Sequence, residues 1–400
     1  MSEWKKEKLG DYVEVLSGFA FKSKDFTSEG VPVIKIKNIS PPNVSLEDLS
    51  YVPMTIVTQN PRYILSRGDV LIAMTGSHIN QIASVVGRVG RIRYDVLSVL
   101  NQRVGKIVNK DDKKSSLDFV YYYLSQYEVK VELAQKAGGA ANQANISPKD
   151  IKDLMFPCPP VETQHRIATI LSRYESLIEN YQKQIKLLEE AAQRLYKEWF
   201  VDLRFPGHEN TNITNGVPEG WEKKKLIDLV DVQYGYAFDG HLFNNKEEGT
   251  PIVRIRNIPD GYTNDYTTEE ANESYIINDG DILVGMDGIF HINTWSGGKA
   301  FLVQRACSFR PKDDSMKGFI LQAIYEPIKF FENTVVGATV AHLGKKHIDS
   351  IELLVSKNVS LYKPFEKKFN ERQTLKSQLR LLTEARDRLL PKLMSGEIEI

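Results

Sequence analysis

The chain is poor in cysteine and has no long apolar run. Its 400 residues include only Cys158 and Cys307. Two cysteines are too few for a disulfide framework in a protein of this size, which predicts a reducing compartment and hence a cytoplasmic location. No run of about 18 apolar residues is present, so we expect no membrane-spanning helix. The opening residues, MSEWKKEKLG, lack the apolar core of a secretory signal peptide.

Net charge is also absent, since 52 basic residues balance 52 acidic ones. The chain therefore lacks the strongly basic composition of many nucleic-acid-binding proteins. The balance is uneven along the sequence: it is +4 over residues 1–160, zero over 161–205, −8 over 206–355 and +4 over 356–400. Local basic patches thus remain compatible with DNA binding, and we expect the 14 cations of the acidic stretch to cluster on one side.

Sequence motifs for catalysis are lacking as well. The segment NPRY (60–63) superficially resembles an amino-methyltransferase motif but lacks its second proline, and no glycine-rich cofactor loop precedes it. The segment GGKA (297–300) lacks both the spacing and the Ser/Thr of a P-loop. The seven histidines and two cysteines show no zinc-ligand spacing. We therefore expect a non-catalytic chain without a cofactor or metal site of its own.

The most informative feature that is present is an internal duplication. Segments of the first half return in the same order in the second: WKKEKL (4–9) as WEKKKL (221–226), GFAF (18–21) as GYAF (235–238), VPVIKIKNI (31–39) as TPIVRIRNI (250–258), GDVLIAM (68–74) as GDILVGM (280–286), and Gln102-Arg103 as Gln304-Arg305. Ile151 and Leu154 correspond in the same way to Ile348 and Ile351. The copies are 197 to 219 residues apart at these positions, so a whole domain is duplicated rather than a short repeat.

Each copy is predicted to be an α+β domain. VPVIKIKNI alternates apolar and basic residues with the period of a half-buried strand, which would place Lys35 and Lys37 on one face and the isoleucines towards a core. The pair GD (68–69) predicts a turn before a more buried strand. Apolar spacing over residues 117–133 predicts a helix, and SPKD (147–150) predicts the capped start of another.

A long helix is predicted after each copy. Residues 161–199 contain neither glycine nor proline, and their apolar residues recur at alternating spacings of three and four, as in a coiled coil. At about 1.5 Å per residue this helix would be about 58 Å long. A similar stripe occupies residues 365–390, with Pro391 and Gly396 expected to close the helix. The predicted seam consists of Leu171, Tyr174, Ile178, Tyr181, Ile185, Leu188, Leu195, Trp199, Phe365, Phe369, Leu375, Leu379, Leu382 and Leu389. We expect an antiparallel pair, which would bury both stripes; the alternative is two unrelated surface helices.

Three segments resemble the specificity subunit of type I restriction–modification systems. PPVETQHRI (159–167) and LYKEWFVD (195–202) resemble the two ends of the family's central conserved helix. LLPKLMSGEI (389–398) resembles the C-terminal end of the family's sequences. The duplication extends the resemblance over essentially the whole chain. It implies an α+β protein in pseudo-twofold arrangement, with α/β target recognition domains at residues 1–158 and 206–355 separated by an antiparallel coiled coil of the helices at 159–205 and 356–400.

The resemblance also implies a function on double-stranded DNA. In the family each recognition domain reads one half of a split target, and the paired helices set the spacing and dock two DNA methyltransferase (modification) subunits, which translocating restriction subunits join. S-adenosylmethionine, ATP and magnesium are then used by these partner subunits and not by this chain. The rival hypotheses are a coiled-coil adaptor without sequence readout, and an enzyme such as a fused methyltransferase or nuclease.

The candidate DNA contacts are polar or basic side chains at comparable places in the two copies. Cations suit phosphates, whereas amide, imidazole and guanidinium groups suit base edges. The first-copy candidates are Lys35, Lys37, Ser77, His78, Asn80, Gln81, Gln102, Arg103, Asn142, Gln143 and Asn145, and those of the second are Arg254, Arg256, His291, Asn293, Thr294, Gln304, Arg305 and His342. A solvated strand face, a capped turn or a buried structural pair would account for the same residues without DNA. The loops differ where the scaffold is similar, as two different half-sites would require.

Overall fold

The computed structural model describes residues 4–76, 85–138, 144–334 and 341–400. The chain forms two compact units: unit 1 comprises Met1–Glu175 and Ala385–Ile400, and unit 2 comprises Ser176–Glu384. Each unit therefore contains one copy of the duplicated domain and a segment of both long helices. Within the described ranges, no helix is both long enough and apolar enough to cross a membrane.

Unit 1 is built on two main sheets. Its strands are β1 (Lys6–Lys8), β2 (Val13–Ser17), β3 (Val31–Ile34), β4 (Ile39–Ser40), β5 (Asn43–Val44), β6 (Ser50–Val52), β7 (Ile64–Leu65), β8 (Val70–Ala73), β9 (Thr75–Gly76), β10 (Val89–Arg91), β11 (Ser98–Leu100), β12 (Val104–Asn109), β13 (Ala144–Asn145) and β14 (Met155–Pro157). Its helices are α1 (Met54–Gln59), α2 (Leu117–Leu124), α3 (Tyr127–Lys136), α4 (Pro148–Lys152) and the first part of α5 (Val161–Tyr196). The sheets have the strand orders β2-β12-β8-β10-β5-β4 and β6-β3-β11-β7, with separate pairs β1-β14 and β13-β9.

Unit 2 repeats most of this plan. Its strands are β15 (Ile213–Thr214), β16 (Val217–Pro218), β17 (Trp221–Lys225), β18 (Val230–Tyr234), β19 (Phe243–Asn244), β20 (Thr250–Val253), β21 (Tyr266–Thr267), β22 (Ile276–Ile277), β23 (Ile282–Gly285), β24 (Ile292–Thr294), β25 (Ala300–Leu302), β26 (Ala306–Pro311) and β27 (Glu352–Ser356). Its helices are α6 (Leu226–Leu229), α7 (Lys317–Ala323), α8 (Tyr325–Thr334), α9 (Lys345–Asp349) and most of α10 (Lys363–Ser395). The main sheets have the orders β18-β26-β23-β24 and β19-β21-β20-β25-β22, and β17-β27 and β15-β16 form separate pairs.

The strand connections confirm the predicted duplication and the α+β class. The order β2-β12-β8-β10 matches β18-β26-β23-β24, and the parallel pair β3-β11 matches β20-β25. Leu9 N–H donates to Leu154 O at 2.9 Å, and the corresponding bond in unit 2 runs from Leu226 N–H to Ile351 O at 2.8 Å. The two copies thus share backbone hydrogen bonds as well as sequence.

The long helices complete the core of each unit. In unit 1, Ile167 and Leu171 of α5 are buried in one apolar cluster with Leu393 and Met394 of α10. In unit 2, the ring centroids of Trp199 and Phe365 lie 6.1 Å apart. Every predicted seam residue is buried or half-buried, so the heptad pattern identified the packed faces of both helices.

Contacts within unit 2 also give the relative direction of α5 and α10. Glu189 forms an ion pair with Arg372, whereas Trp199, further along α5, contacts Phe365, which lies earlier in α10. The two segments therefore run antiparallel there. Arg372 is itself buried, so this seam includes a charged residue that the apolar stripe did not predict.

The repeated basic segment is not the continuous strand that its alternation predicted. β3 ends at Ile34, and Ile36–Asn38 forms a 3-10 turn in which the Lys35 N–H donates to Oδ1 of the buried Asn38 at 3.0 Å. Arg254 makes the same bond to Asn257 at 2.9 Å. The prediction that Lys35 and Lys37 share one strand face is therefore wrong, because the asparagine closes a turn.

Three helix boundaries also differ from the predicted ones. The segment 117–133 is divided between α2 and α3, because the backbone at Gln126 is extended. α5 ends at Tyr196 and is followed by a π-helical turn, Lys197–Val201. α10 continues past Pro391 to Ser395, since Leu393 and Met394 are buried, and Gly396 follows with a left-handed φ of 77°.

The repeated glycines of GFAF and GYAF generate a stability prediction. A Cβ added at Gly18 would lie 2.2 Å from Asn101 O, and one at Gly235 would lie 2.1 Å from Val303 O. Both neighbours are backbone atoms, so alanine at either position forces the chain to shift. We expect each replacement to reduce the free energy of unfolding of its unit by about 1–3 kcal/mol or more.

Chemical denaturation followed by circular dichroism measures this loss. Gly240→Ala is the matched control in unit 2, because a Cβ there would meet nothing within 4 Å. Equal unfolding midpoints for Gly235→Ala and Gly240→Ala would show that the close approach is not a constraint.

Candidate nucleic-acid interface

Both predicted Gln–Arg pairs lie in a tight turn between two neighbouring strands, β11 and β12 in unit 1 and β25 and β26 in unit 2. In unit 1 the Phe19 N–H donates to Leu100 O, and the Gln102 N–H donates to Phe19 O, both at 2.9 Å. Tyr236 makes the equivalent two bonds in unit 2, at 2.9 and 2.8 Å. The glutamine and arginine side chains of both turns are exposed, so the backbone is fixed while the side chains are available.

In unit 1 a buried methionine brings three polar side chains together. The Met74 N–H donates to Arg103 O and its carbonyl accepts from the Ile146 N–H, both at 2.9 Å. Thr75 directly follows Met74, and Asn145 directly precedes Ile146. These two residues consequently pair between β9 and β13. The Thr75 hydroxyl donates to Asn145 Oδ1 at 2.8 Å, and Arg103 Nη1 lies 3.3 Å from both oxygens.

The same backbone arrangement in unit 2 carries different side chains. The Met286 N–H donates to Arg305 O, and its carbonyl accepts from the Leu343 N–H, both at 2.8 Å. Asp287 therefore pairs with His342. His342 Nδ1 lies 2.6 Å from Asp287 Oδ1, and Arg305 Nε lies 3.4 Å from Oδ2.

The predicted phosphate contacts divide into two kinds. Lys35 and Arg254 each lie over an aromatic ring, with Lys35 Nζ 4.1 Å from the centroid of Phe26 and the Arg254 guanidinium 5.3 Å from that of Phe243. Burial, and secondarily the charge of Lys37, lower the pKa of Lys35.

The outer cations of the same segments are paired with acids. Lys37 lies 2.6 Å from Asp48, and Arg256 makes a bidentate contact with Asp265. A phosphate would have to displace these carboxylates. Among the described residues the inner cations, Lys35 and Arg254, are not paired with an acid, but both are half-buried and Lys35 Nζ donates to the Ser50 hydroxyl at 2.8 Å.

An open cleft of about 700 Å³ in unit 2 brings several predicted side chains together. The predicted residues in its lining are Arg254, Arg256, His291, Gln304 and Arg305. Phe238 and Phe243 supply an aromatic wall, and Asp287 is an acidic residue of the lining. The lining is thus locally basic, although the surrounding stretch of sequence is acidic.

Two predicted contacts of unit 2 have a structural role instead. Asn293 Oδ1 accepts hydrogen bonds from Arg372 at 2.8 Å and Lys376 at 3.0 Å. Thr294 is fully buried, and its hydroxyl accepts from Arg372 at 2.6 Å. The prediction that Thr294 contacts DNA is therefore wrong, because α10 covers this end of β24.

The remaining first-copy candidates are outside the described residues; they are Ser77, His78, Asn80, Gln81, Asn142 and Gln143. Thr75 and Asp287 were missed by the sequence analysis, although both directly follow the repeated methionine and so occupy equivalent positions. In the part of the chain that the structure describes, no group of three or more His, Cys, Asp or Glu side chains is placed to hold a metal ion.

Comparison with known proteins gives a consistent result. The family model described as "Type I restriction modification DNA specificity domain" matches residues 1–190 and 218–356. The chain is 25% identical to the type I restriction enzyme MjaIX specificity subunit of Methanocaldococcus jannaschii, over 100% of this chain and 94% of that protein. It is 29% identical to the EcoBI specificity subunit of Escherichia coli, over 34% of this chain and 29% of that one.

A solved structure shares the fold. The crystal structure of the type I restriction–modification S subunit from M. genitalium superposes with a TM-score of 0.60 at 18% identity, covering 98% of this chain and 96% of that chain.

The buried lysine of unit 2 generates a prediction about pH. Burial, followed by the neighbouring charge of Arg372, holds the pKa of Lys376 well below its ordinary value of 10.5. Between the lowered pKa and 10.5 the unfolded chain binds a proton that the folded chain does not, so the free energy of unfolding rises with pH in that interval. We expect the wild type to gain stability relative to Lys376→Met as the pH is raised towards 10.5. Urea unfolding at several pH values measures the difference; a difference that is constant with pH would contradict the prediction.

Proposed function

Because the chain belongs to the family of type I restriction–modification DNA specificity proteins, we propose that it is the DNA sequence-specificity subunit of such a system and that each unit reads one half of a bipartite target. One observation carries this proposal: the two units hold the Gln–Arg turn in the same backbone frame but surround it with different side chains. A shared frame presents the reading groups in the same way, while different side chains give different base preferences.

The chemistry of the site suits selective rather than general DNA binding. Exposed arginine and glutamine side chains can bind base edges, and the planar guanidinium also binds phosphates. In unit 2, however, the Asp287 carboxylate lies beside Arg305, and acids outnumber cations over residues 206–355. Both features weaken sequence-independent attraction to phosphates.

In this proposal the reactions belong to partner subunits. Two methyltransferase subunits would methylate adenine with S-adenosylmethionine, and restriction subunits would use ATP and magnesium. This chain would determine the DNA sequence at which they act. The long helices expose apolar side chains, including Leu177 and Leu187 of α5 and Leu381 of α10, which would contribute to docking such partners.

Removing one turn arginine should weaken recognition of one half-site only. With the methyltransferase present, we expect Arg305→Ala to reduce affinity for the target by roughly 5- to 150-fold, the equivalent of about 1–3 kcal/mol for a bidentate base contact. Competition by duplexes altered in one half at a time shows which half has lost discrimination.

Arg103→Ala is the counterpart in the other unit and should affect the other half. The control is Arg67→Ala, which removes an exposed arginine of unit 1 that is paired with Asp95. Equal loss of discrimination at both halves by one variant would contradict the assignment, and no sequence-selective binding by the wild type would favour the adaptor hypothesis.

Lengthening both helices should change the gap between the half-sites. Insertion of one heptad between Glu175 and Ser176 in α5, and of another between Glu384 and Ala385 in α10, keeps the heptad phase and adds about 10 Å. At 3.4 Å per base pair this equals about three base pairs. We expect the preferred gap to lengthen or the original target to be lost, as measured by selection from duplexes of variable gap. An unchanged preferred gap would contradict a spacing role for the helices.

A further inference from the structure

We infer that two equivalent side-chain triads determine specificity and that they select different purines. The unit 1 triad consists of Thr75, Arg103 and Asn145, and the unit 2 triad consists of Asp287, Arg305 and His342. The unit 1 triad selects guanine and the unit 2 triad selects adenine. This inference rests on the proposed function and assigns the readout to particular atoms.

The equivalence of the triads follows from their backbone. In each unit a buried methionine bonds to the turn arginine through its N–H and to the neighbouring chain segment through its carbonyl. The residue after the methionine then pairs with a residue of that segment, through the β9-β13 pair in unit 1 and through an isolated β-bridge in unit 2. A base edge that approaches either arginine therefore meets side chains from the same two positions.

Both arginines and His342 are accessible, whereas Thr75 is buried and reaches a base only through Asn145 and Arg103, which it contacts. The side chains of Arg305 and His342 are 58% and 47% exposed, and Arg103 is exposed as well.

The unit 1 triad offers hydrogen-bond donors. A guanidinium can only donate, so the Asn145 atom that faces Arg103 is the carbonyl Oδ1. This oxygen also accepts from the Thr75 hydroxyl, so its acceptor capacity is already used. Among the described residues, Asn145 Nδ2 and the Nε and Nη2 of Arg103 have no hydrogen-bond partner. Donors alone match the N7 and O6 acceptors of guanine and exclude the amino groups of adenine and cytosine.

The unit 2 triad offers an acceptor beside donors. An ionised carboxylate only accepts, so His342 Nδ1, at 2.6 Å from Asp287, carries a proton. In the tautomer that has its single proton on Nδ1, Nε2 keeps its lone pair and can accept a hydrogen bond. Arg305 approaches Asp287 through Nε, and its two terminal amino groups have no partner in the described part of the chain. An acceptor next to a donor matches adenine, whose edge presents the N6 amino group and the N7 acceptor.

Exchanging the arginine's neighbours tests the assignment directly. In the full chain assembled with its methyltransferase, Asp287→Thr with His342→Asn gives Arg305 the surroundings found in unit 1. Selection from a randomised duplex library should then change one position of one half-site from adenine to guanine, with relative affinities shifted by roughly 5- to 150-fold. The other half-site should be unchanged. The reciprocal exchange, Thr75→Asp with Asn145→His, should convert guanine to adenine in the other half.

The outcomes separate the inference from the function on which it rests. Asp260→Thr, which removes an exposed acid outside the cleft lining, should leave both half-sites unaltered. If the wild type selects a bipartite sequence and the exchanges leave both purines unchanged, the triad inference is overturned and the proposed function stands. If the wild type selects no sequence, both are overturned.

Folding is controlled within the same experiment. Continued selection of the second half-site by the exchanged chain shows that it is assembled. If the double variant does not fold, the conservative variant His342→Asn decides: it should lose the adenine preference, and retention of that preference would overturn the inference.

Discussion

A single close contact constrains the Gln–Arg turn of both units: the backbone of a repeated glycine lies against the carbonyl group that precedes the turn. No side chain fits there, since a Cβ on Gly18 or Gly235 would lie within about 2.2 Å of that oxygen. The aromatic residue after each glycine then bonds to both sides of the turn, and the buried methionine bonds to the turn arginine. Main-chain contacts in this way fix the backbone of the turn arginine.

The binding surface of this protein is described by the local distribution of charge and not by the net charge of the chain. The net charge of zero and the acidic character of residues 206–355 coexist with a cleft lined by three arginines. Several cations are unavailable to a ligand because they hold the structure together: Arg372 and Lys376, for example, connect β24 of unit 2 to α10. A cation placed in the core in this way raises the basic count of the sequence without adding to the binding surface.

The sequence predicted features that depend on periodicity or on repetition. The duplication, the seam of the two long helices and the capped start of α4 at Ser147 were predictable because each has a local pattern. The 3-10 turns closed by Asn38 and Asn257 were not, because an asparagine side chain that bonds to a backbone N–H overrides an alternating pattern. The burial of Thr294 could not be predicted from the sequence either, because the residues of α10 that cover it are distant along the chain. Thr75 and Asp287 could have been found from their place after the repeated methionine.

The most direct test of the idea that one frame supports two different readers is the sequence preference of the intact chain. Duplexes with a long randomised region, selected by the chain in complex with its methyltransferase and then sequenced, give that preference in one measurement. Two dissimilar blocks separated by a fixed gap are the predicted result. A single block, two identical blocks or no enrichment would contradict it.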